Sequence, residues 1–338
     1  MSDSTVDRFE GVAVTGKRRS LMVEMVDLVI RLIKEKPLGT VGAIVTLIML
    51  FVGIFANFLA PYGLNEIHPI DFLSAPSQKY LLGTDNLGRD MLSRVIFGAR
   101  ISVIVGLAAS TLSTVVSVVI GILTGYLGGK FDLFTQRFVD AFMCFPGLVF
   151  LIAISSIVGP GLWQVVICLG LLYGIGGSRI VRGAVIGIKE NVYVEAAKAI
   201  GCPQRKILTM HILPNIMAPI IILFTTRVPA MILSESGLSF LGLGIPPPAP
   251  SWGGMLSGAG RAYMFKAPWM AIWPGLALCI VVYGVNMFGD AIRDILDPRL
   301  RGGLGSYKIR KTSTGGLLSR LRLPWMIAEK KGGEAVSA

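Results

Sequence analysis

EAAKAIGCPQRKILTMHILP, residues 195–214, is a charged, helix-forming island inside a chain that otherwise reads as membrane. Glu195 to Ile200 is rich in strong helix formers, with alanine at 196, 197 and 199. Gly201 suits the left-handed residue that ends a helix. Pro203 fits a first helical turn, where a missing N–H costs nothing. A second short helix is predicted over 204–213. It carries Arg205 and Lys206, with Ile207, Leu208 and Ile212 offset from them, and Pro214 either stops it or starts the next. The pattern is a helix–Gly–helix elbow with one apolar and one basic face, held between two hydrophobic segments. Such an elbow fits a loop packed on its own bundle and also a docking surface for a soluble partner.

Composition supports the membrane setting. The 338 residues are 53% hydrophobic and 15% charged, with a mean hydropathy of +0.69. A formal net charge of +12 would suggest nucleic acid in a soluble protein. Here the basic residues cluster beside hydrophobic spans, so orientation and anionic lipid headgroups explain them and nucleic acid is not expected. Cys144, Cys168, Cys202 and Cys279 are scattered, without metal spacing or a disulfide framework. The polar first twenty residues predict no cleavable signal peptide. Residues 20–36, SLMVEMVDLVIRLIKEK, form an amphipathic stretch suited to a helix lying on the membrane surface, so 1–36 reads as an N-terminal segment.

A spanning helix needs about 20 apolar residues. Residues 37–60 give 24 without a charge, and 101–129 give a second run. Residues 141–178 give 38, enough for two spans with Gly159-Pro160-Gly161 as the turn. The expectation is six spans, over about 37–60, 101–126, 139–158, 162–180, 215–234 and 269–289, with the elbow region at 187–214 and a tail at 302–338. Six spans put both termini on one side. With the termini inside, 25 of the 32 Lys and Arg fall in inside segments and 6 outside, which predicts cytoplasmic termini and a cytoplasmic elbow.

Between the spans, LLGTDNLGRDMLSRVIFGARIS (81–102) reads as a turn-rich loop entering an amphipathic helix. The second span carries Gly121, Gly125 and Gly129 at intervals of four, which lets another helix approach closely. Its hydroxyls include Ser113 and Ser117, suited to helix packing or to lining a path. Ionisable residues in or near spans are costly and therefore informative: Asp140, Arg227 and Glu235. Arg227 and Glu235 lie two turns apart and are candidates to pair with each other or with another subunit, in a structural or gating role. Residues 236–256, rich in Gly and Pro, read as an outside loop or re-entrant segment.

The elbow resembles the EAA loop of ABC-importer permeases: EAA, three residues, Gly, nine residues, an aliphatic residue, one more, then Leu-Pro. Glu195, Ala196, Ala197, Gly201, Leu213 and Pro214 match in spacing, and His211 stands at the aliphatic position. HILPN (211–215) is a usual form in the dipeptide, oligopeptide and nickel branch. Residues 81–102, 134–146 (FTQRFVDAFMCFP, with Arg137, Asp140 and Pro146 in register) and 289–303 (GDAIRDILDPRLRGG) are similar to segments of its C-type permeases. The resemblance covers about 37–301. It implies an all-α membrane protein with the type I ABC-importer permease fold, in a bacterial or archaeal cell (inner) membrane. It further implies a homologous second permease, two ABC ATPase subunits and an extracytoplasmic substrate-binding protein. In that setting Glu195 and Gly201 set the elbow's shape, Ala196 and Ala197 allow close approach to a groove, and Pro214 fixes the join to span five, with Arg205 and His211 completing the coupling loop. Ser113, Ser117, Asp140, Arg227 and Glu235 are then candidates for the path or its gate. The substrate would be a dipeptide or oligopeptide, with nickel or an oligosaccharide also compatible. The tail beyond Arg301 is a departure from the family pattern.

No Walker motif is present. The near-match from Gly11 to Lys17 fails because Arg18 replaces the Ser or Thr. The chain is therefore expected to bind no cofactor, leaving ATP to partner subunits. Only His68 and His211 occur, so neither a metal cluster nor a catalytic triad is expected. Six spans alone also fit a secondary carrier or channel not driven by ATP. Carriers show broken helices with coupling acids and channels show filter loops or charge rings, and neither needs such an elbow.

Overall fold

The computed structural model describes residues 29–296. Its long helices follow from apolar runs between definable caps. α1 (Pro37–Ile54) opens on a proline, where no N–H is required. α2 (Met91–Leu127) is opened by Asp90, whose carboxylate accepts the Ser93 N–H at 2.8 Å, and closed by Gly128 at φ +66. Then come α3 (Gly129–Met143), α4 (Gly147–Val158), α5 (Leu162–Lys189), α6 (Val192–Ala199), a continuous rod α7 (Gln204–Phe240), a short α8 (Trp252–Leu256) and α9 (Trp269–Leu296). Among the described residues the structure is helical, with one isolated bridge between Thr84 and Asp90. Residues 29–35 are helical, with Leu32 buried against Ala291 and Ile295. The rest of the expected surface helix (20–28) and the tail (302–338) lie outside the described residues.

α1, α2, α5, α7 and α9 are each long and apolar enough to cross a membrane, and α3 with α4 supplies a sixth crossing if the bent pair counts as one. The span expected over 139–158 is not a single helix. The chain turns by 87° between α3 and α4. Pro146 is the physical reason: its ring disfavours helical backbone at Phe145, and it has no N–H to return to the Phe142 carbonyl. α4 alone is about 18 Å long, short of a hydrocarbon core of about 30 Å. An uncharged run measures apolar content, not continuity.

α2 is the central helix. It pairs most extensively with α5 and also meets α7 and α1, while α9 packs on α1 and α7. The α2–α5 seam is built on absent side chains. A Cβ at Gly121 would stand 2.6 Å from Val181 Cβ and 2.7 Å from the Ser178 carbonyl oxygen. One at Gly125 would stand 2.9 Å from Val185 Cβ. The third glycine of the stripe is not part of the seam. Gly129 begins α3 at φ +58 and faces open space, because α2 has already ended at Gly128.

At the N-terminal end of α2, two indoles fasten the loops. Trp269 Nε1 donates to the Thr84 carbonyl and Trp252 Nε1 to the Val95 carbonyl, each at 3.0 Å. At the other end, Tyr126, Val181, Val185, Val194, Ala197, Ile207, Ile212 and Ile216 form one apolar cluster that seats α6 and the start of α7.

Replacing Gly121 with Val forces α2 and α5 apart and costs about 1–3 kcal/mol or more. Gly176→Ala, where an added Cβ meets nothing within 4 Å, is neutral. Thermal unfolding of the detergent-solubilised protein checks this, and equal midpoints for the two variants would refute the seam.

Candidate docking surface

The elbow is built from the end of α5 outward. Lys189 Nζ donates to the Tyr126 carbonyl at 2.6 Å, filling an acceptor that the end of α2 leaves open. Lys189 and Lys198 both lie over the Tyr126 ring. α6 then runs from Val192 to Ala199 and ends in a Schellman motif. The Gly201 N–H donates to the Lys198 carbonyl and the Cys202 N–H to the Ala197 carbonyl, each at 3.0 Å, with Gly201 at φ +75. Gly201 is thus required by its backbone and not by crowding, since a Cβ there would meet nothing within 4 Å.

The second helix expected over 204–213 does not stop at Pro214. It runs on into the next span as α7, with a π turn at Ile207–Ile212 and a 3₁₀ turn at Leu213–Ile216. In the π turn the Leu213 N–H reaches the Leu208 carbonyl. Widening the helix there moves the Met210 carbonyl away from the Pro214 ring, which would collide with it in a regular α-helix. The His211 carbonyl, displaced by the same change, accepts Asn215 Nδ2 at 2.6 Å. His211 itself is half-buried, with its ring near that of Tyr193.

The elbow presents two faces. Val194, Ala197, Ile207 and Ile212 turn inward, and Leu213 packs partly against the same cluster. Glu195, Ala196, Lys198, Arg205, Lys206 and Pro214 are exposed, together with Val192, Ile200 and Met210 at 80%, 84% and 62% exposure. The two alanines of the motif therefore differ. Ala196 faces outward, whereas Ala197 is 7% exposed and packs into its own bundle, so of the two only Ala196 is open to a partner. Their adjacency on a helix, 100° apart, makes this division unavoidable. Exposed apolar side chains that share a surface with lysine and arginine can bind a protein.

The candidates for a path or gate fall in three places. Ser113 and Ser117 are fully buried in the α2–α5 seam, where Ser117 Oγ donates to the Gly174 carbonyl at 2.7 Å. Arg227 reaches the same seam: Nη1 donates to the Tyr173 carbonyl at 2.6 Å and to Ser113 Oγ at 3.3 Å, beneath the Tyr173 ring. Glu235 is fully buried and accepts the Ser239 hydroxyl at 2.6 Å. Arg227 and Glu235 do not pair: Arg227 finds neutral partners on α2 and α5, and Glu235 finds them one turn on in α7 itself. Asp140, on α3, is held by Arg179 and by Arg137, the latter at 3.6 Å. Sequence reasoning passed over Asp132, whose carboxylate takes a two-pronged grip from Arg182 at 2.7 and 2.5 Å and ties α3 to α5. A charge opening an amphipathic helix beside a basic helix end was the available signal.

Comparison with known proteins bears on this arrangement. Residues 117–302 match the family described as binding-protein-dependent transport system inner membrane component, and residues 25–76 match the N-terminal TM domain of oligopeptide transport permease C. The dipeptide transport system permease protein DppC of Alkalihalophilus pseudofirmus is 38% identical over 269 residues, covering 80% of this chain and 88% of that one. A putative peptide transport system permease protein of Brucella suis biovar 1 is 38% identical over 261 residues, covering 77% and 88%. The glutathione transport system permease protein GsiD of Escherichia coli O1:K1 / APEC is 37% identical over 273 residues, covering 80% and 90%.

The division of the motif's alanines gives a direct test. Ala197→Glu puts a carboxylate into the cluster under α6 and lowers stability by about 2 kcal/mol or more. Ala196→Glu leaves the melting midpoint in detergent unchanged. Equal effects on the midpoint would contradict the orientation of α6.

Proposed function

Because this chain belongs to the family of binding-protein-dependent transport system inner-membrane components, among the peptide and dipeptide ABC permeases, we propose that it is one permease half of an ATP-driven importer for dipeptides or oligopeptides. The supporting observation is the outward patch of Val192, Ala196, Ile200 and Met210 on an elbow continuous with α7. A homologous second permease completes the path, and two ABC ATPase subunits bind the elbow from the cytoplasm. An extracytoplasmic binding protein delivers the substrate and carries most of its selection. Both termini lie in the cytoplasm, in keeping with the Lys and Arg distribution.

In this reading the chain does no covalent chemistry. Its task is mechanical. The ATPase surface seats against the exposed apolar side chains, with Lys198, Arg205 and Lys206 orienting the contact. Gly201 fixes the angle between α6 and α7. Closure of the ATPases then moves α7 as a unit, carrying Arg227 and the α5 backbone it grips, between inward-open and outward-open arrangements.

Copurification of the tagged chain from mild detergent, with mass spectrometry of bound proteins, tests the assembly. A second permease and ATPase subunits are expected, and Ala196→Glu should reduce ATPase recovery by about tenfold while sparing the second permease. Gly201→Val, strained at positive φ by about 1–2 kcal/mol, should leave assembly largely intact and uncouple ATP hydrolysis from peptide uptake. A lone homo-oligomer without any ATPase would instead support a carrier or channel. Wild-type uptake in Gly201→Val would remove the elbow from the coupling mechanism.

A further inference from the structure

Arg94 stands in the first turn of α2, about 48 Å along that helix from Tyr126 and the elbow. It is only 8% exposed, yet its guanidinium makes no hydrogen bond among the described residues, and Nη1 is a buried donor without an acceptor. Its nearest carboxylate is Asp85, at 3.6 Å from Nε. That carboxylate is already engaged, by the N–H groups of Leu87 at 2.8 Å and Arg89 at 2.9 Å and by Arg89 Nε at 2.7 Å. Two other acids are close in the chain or the fold, and both are turned elsewhere. Asp90 accepts the N–H and hydroxyl of Ser93, and Glu235 accepts the hydroxyl of Ser239. A guanidinium carries five donors in a fixed fork and stays charged, so burying one without an acceptor is costly.

Arg94 lines a cavity of about 420 Å³, the size of a small-molecule site. Asp85 and Arg89 line it as well, so two cations stand against one carboxylate and a single positive charge is unmatched. Much of the remaining wall is apolar, from Met91, Ile245, Met255 and Met270. We propose that this cavity is a subsite for the carboxylate of a small soluble ligand, with Arg94 as the charged anchor and the methionines against the ligand's apolar body. Carboxylate and guanidinium match geometrically, and a monoanion balances the charge. The peptide reading enters only in the choice of a dipeptide as one probe, because a dipeptide ends in a carboxylate.

The test uses the intact transporter in phosphatidylcholine nanodiscs, without its external binding protein. Equilibrium binding is measured for leucyl-leucine, for its C-terminal amide and for hexanoate, a carboxylate with no peptide bond. The two acids should compete for one site, with the amide at least about tenfold weaker. Arg94→Gln should weaken both acids by a similar factor and leave the amide unchanged. A second variant guards against loss of the first to misfolding: Ala259→Trp, which fills the cavity without altering its charges, should also block both acids. Arg94-dependent hexanoate binding without dipeptide binding would keep the subsite and argue against peptides as its occupant. Equal affinity for acid and amide would overturn the proposal, as would acid binding unchanged in Ala259→Trp. Arg94-dependent retention of phosphatidylglycerol, with no response to either acid, would overturn it in favour of a lipid phosphate.

Discussion

The backbone contact between α2 and α5 at Gly121 and Gly125 is the constraint on which the rest depends. Lipid gives helices little hydrophobic reason to associate, so dispersion over a close, well-matched surface must hold them. A side chain at either glycine would meet Val181 or Val185 at under 3 Å. With none there, α5 lies along α2 for much of its length, and its last turn is delivered to Tyr126. Everything at the elbow is measured from that point. Lys189 caps the α2 carbonyl, α6 folds back under it, and Gly201 turns the chain into α7.

Arg227 and Ser117 at this seam are satisfied locally and not by ion pairs across the bundle, whereas the buried Ser110 and Thr114 hydroxyls of α2 have no hydrogen-bond partner among the described residues. Arg227 would be expensive inside a membrane if left bare. It is held by a backbone carbonyl, a hydroxyl and an aromatic face. Ser117 spends its proton on the Gly174 carbonyl, within the stretch of α5 that contacts α2 most closely. Two ion pairs of α5, Arg182 with Asp132 and Arg179 with Asp140, sit between it and the amphipathic α3. They fix the bent half of the α3–α4 pair to the same helix end that carries the elbow. One helix terminus therefore positions two separate structures.

The elbow was readable because its signals are local. Alanines, Gly201 and Pro203 act on backbone within a turn, and the Schellman motif needs nothing from elsewhere. The cap of α2 at Asp90 is of the same kind. Three features were not readable, each for a different reason. The break at Pro146 was hidden by counting charges, which ignores the missing N–H. The run-through at Pro214 depends on a π turn, an adjustment that propensity does not encode. The inward turn of Ala197 depends on where α5 and α2 lie, and small residues give no periodicity of their own. Arg227 and Glu235 illustrate the last difficulty most sharply. Their spacing along α7 suggests a pair, but Arg227 is taken by the Tyr173 carbonyl of α5, which spacing along one helix does not reveal, and Glu235 by Ser239 one turn on in α7.

The continuity of α7 gives these separate features one mechanical meaning. A broken joint at Pro214 would let the elbow move without the span. The π turn instead keeps backbone hydrogen bonding across the proline, so a rotation applied near Gly201 is passed along the rod. Arg227 lies in mid-rod and is fastened to α5, while Glu235 lies one or two turns from its far end, buried beside Ser239 and the loop that follows. Ser239 also lines the cavity that contains Arg94. The elbow and the cavity thus share α7 as a common element, and α2 spans the same distance beside it. Motion of α7 relative to α2 would shift Ser239 against Arg94, since Arg94 belongs to α2 and Ser239 to α7. Most of the rest of that wall comes from the loops at 85–89 and 242–251, from α8 and from Met270 of α9, so the two long helices meet there through the loops that join them.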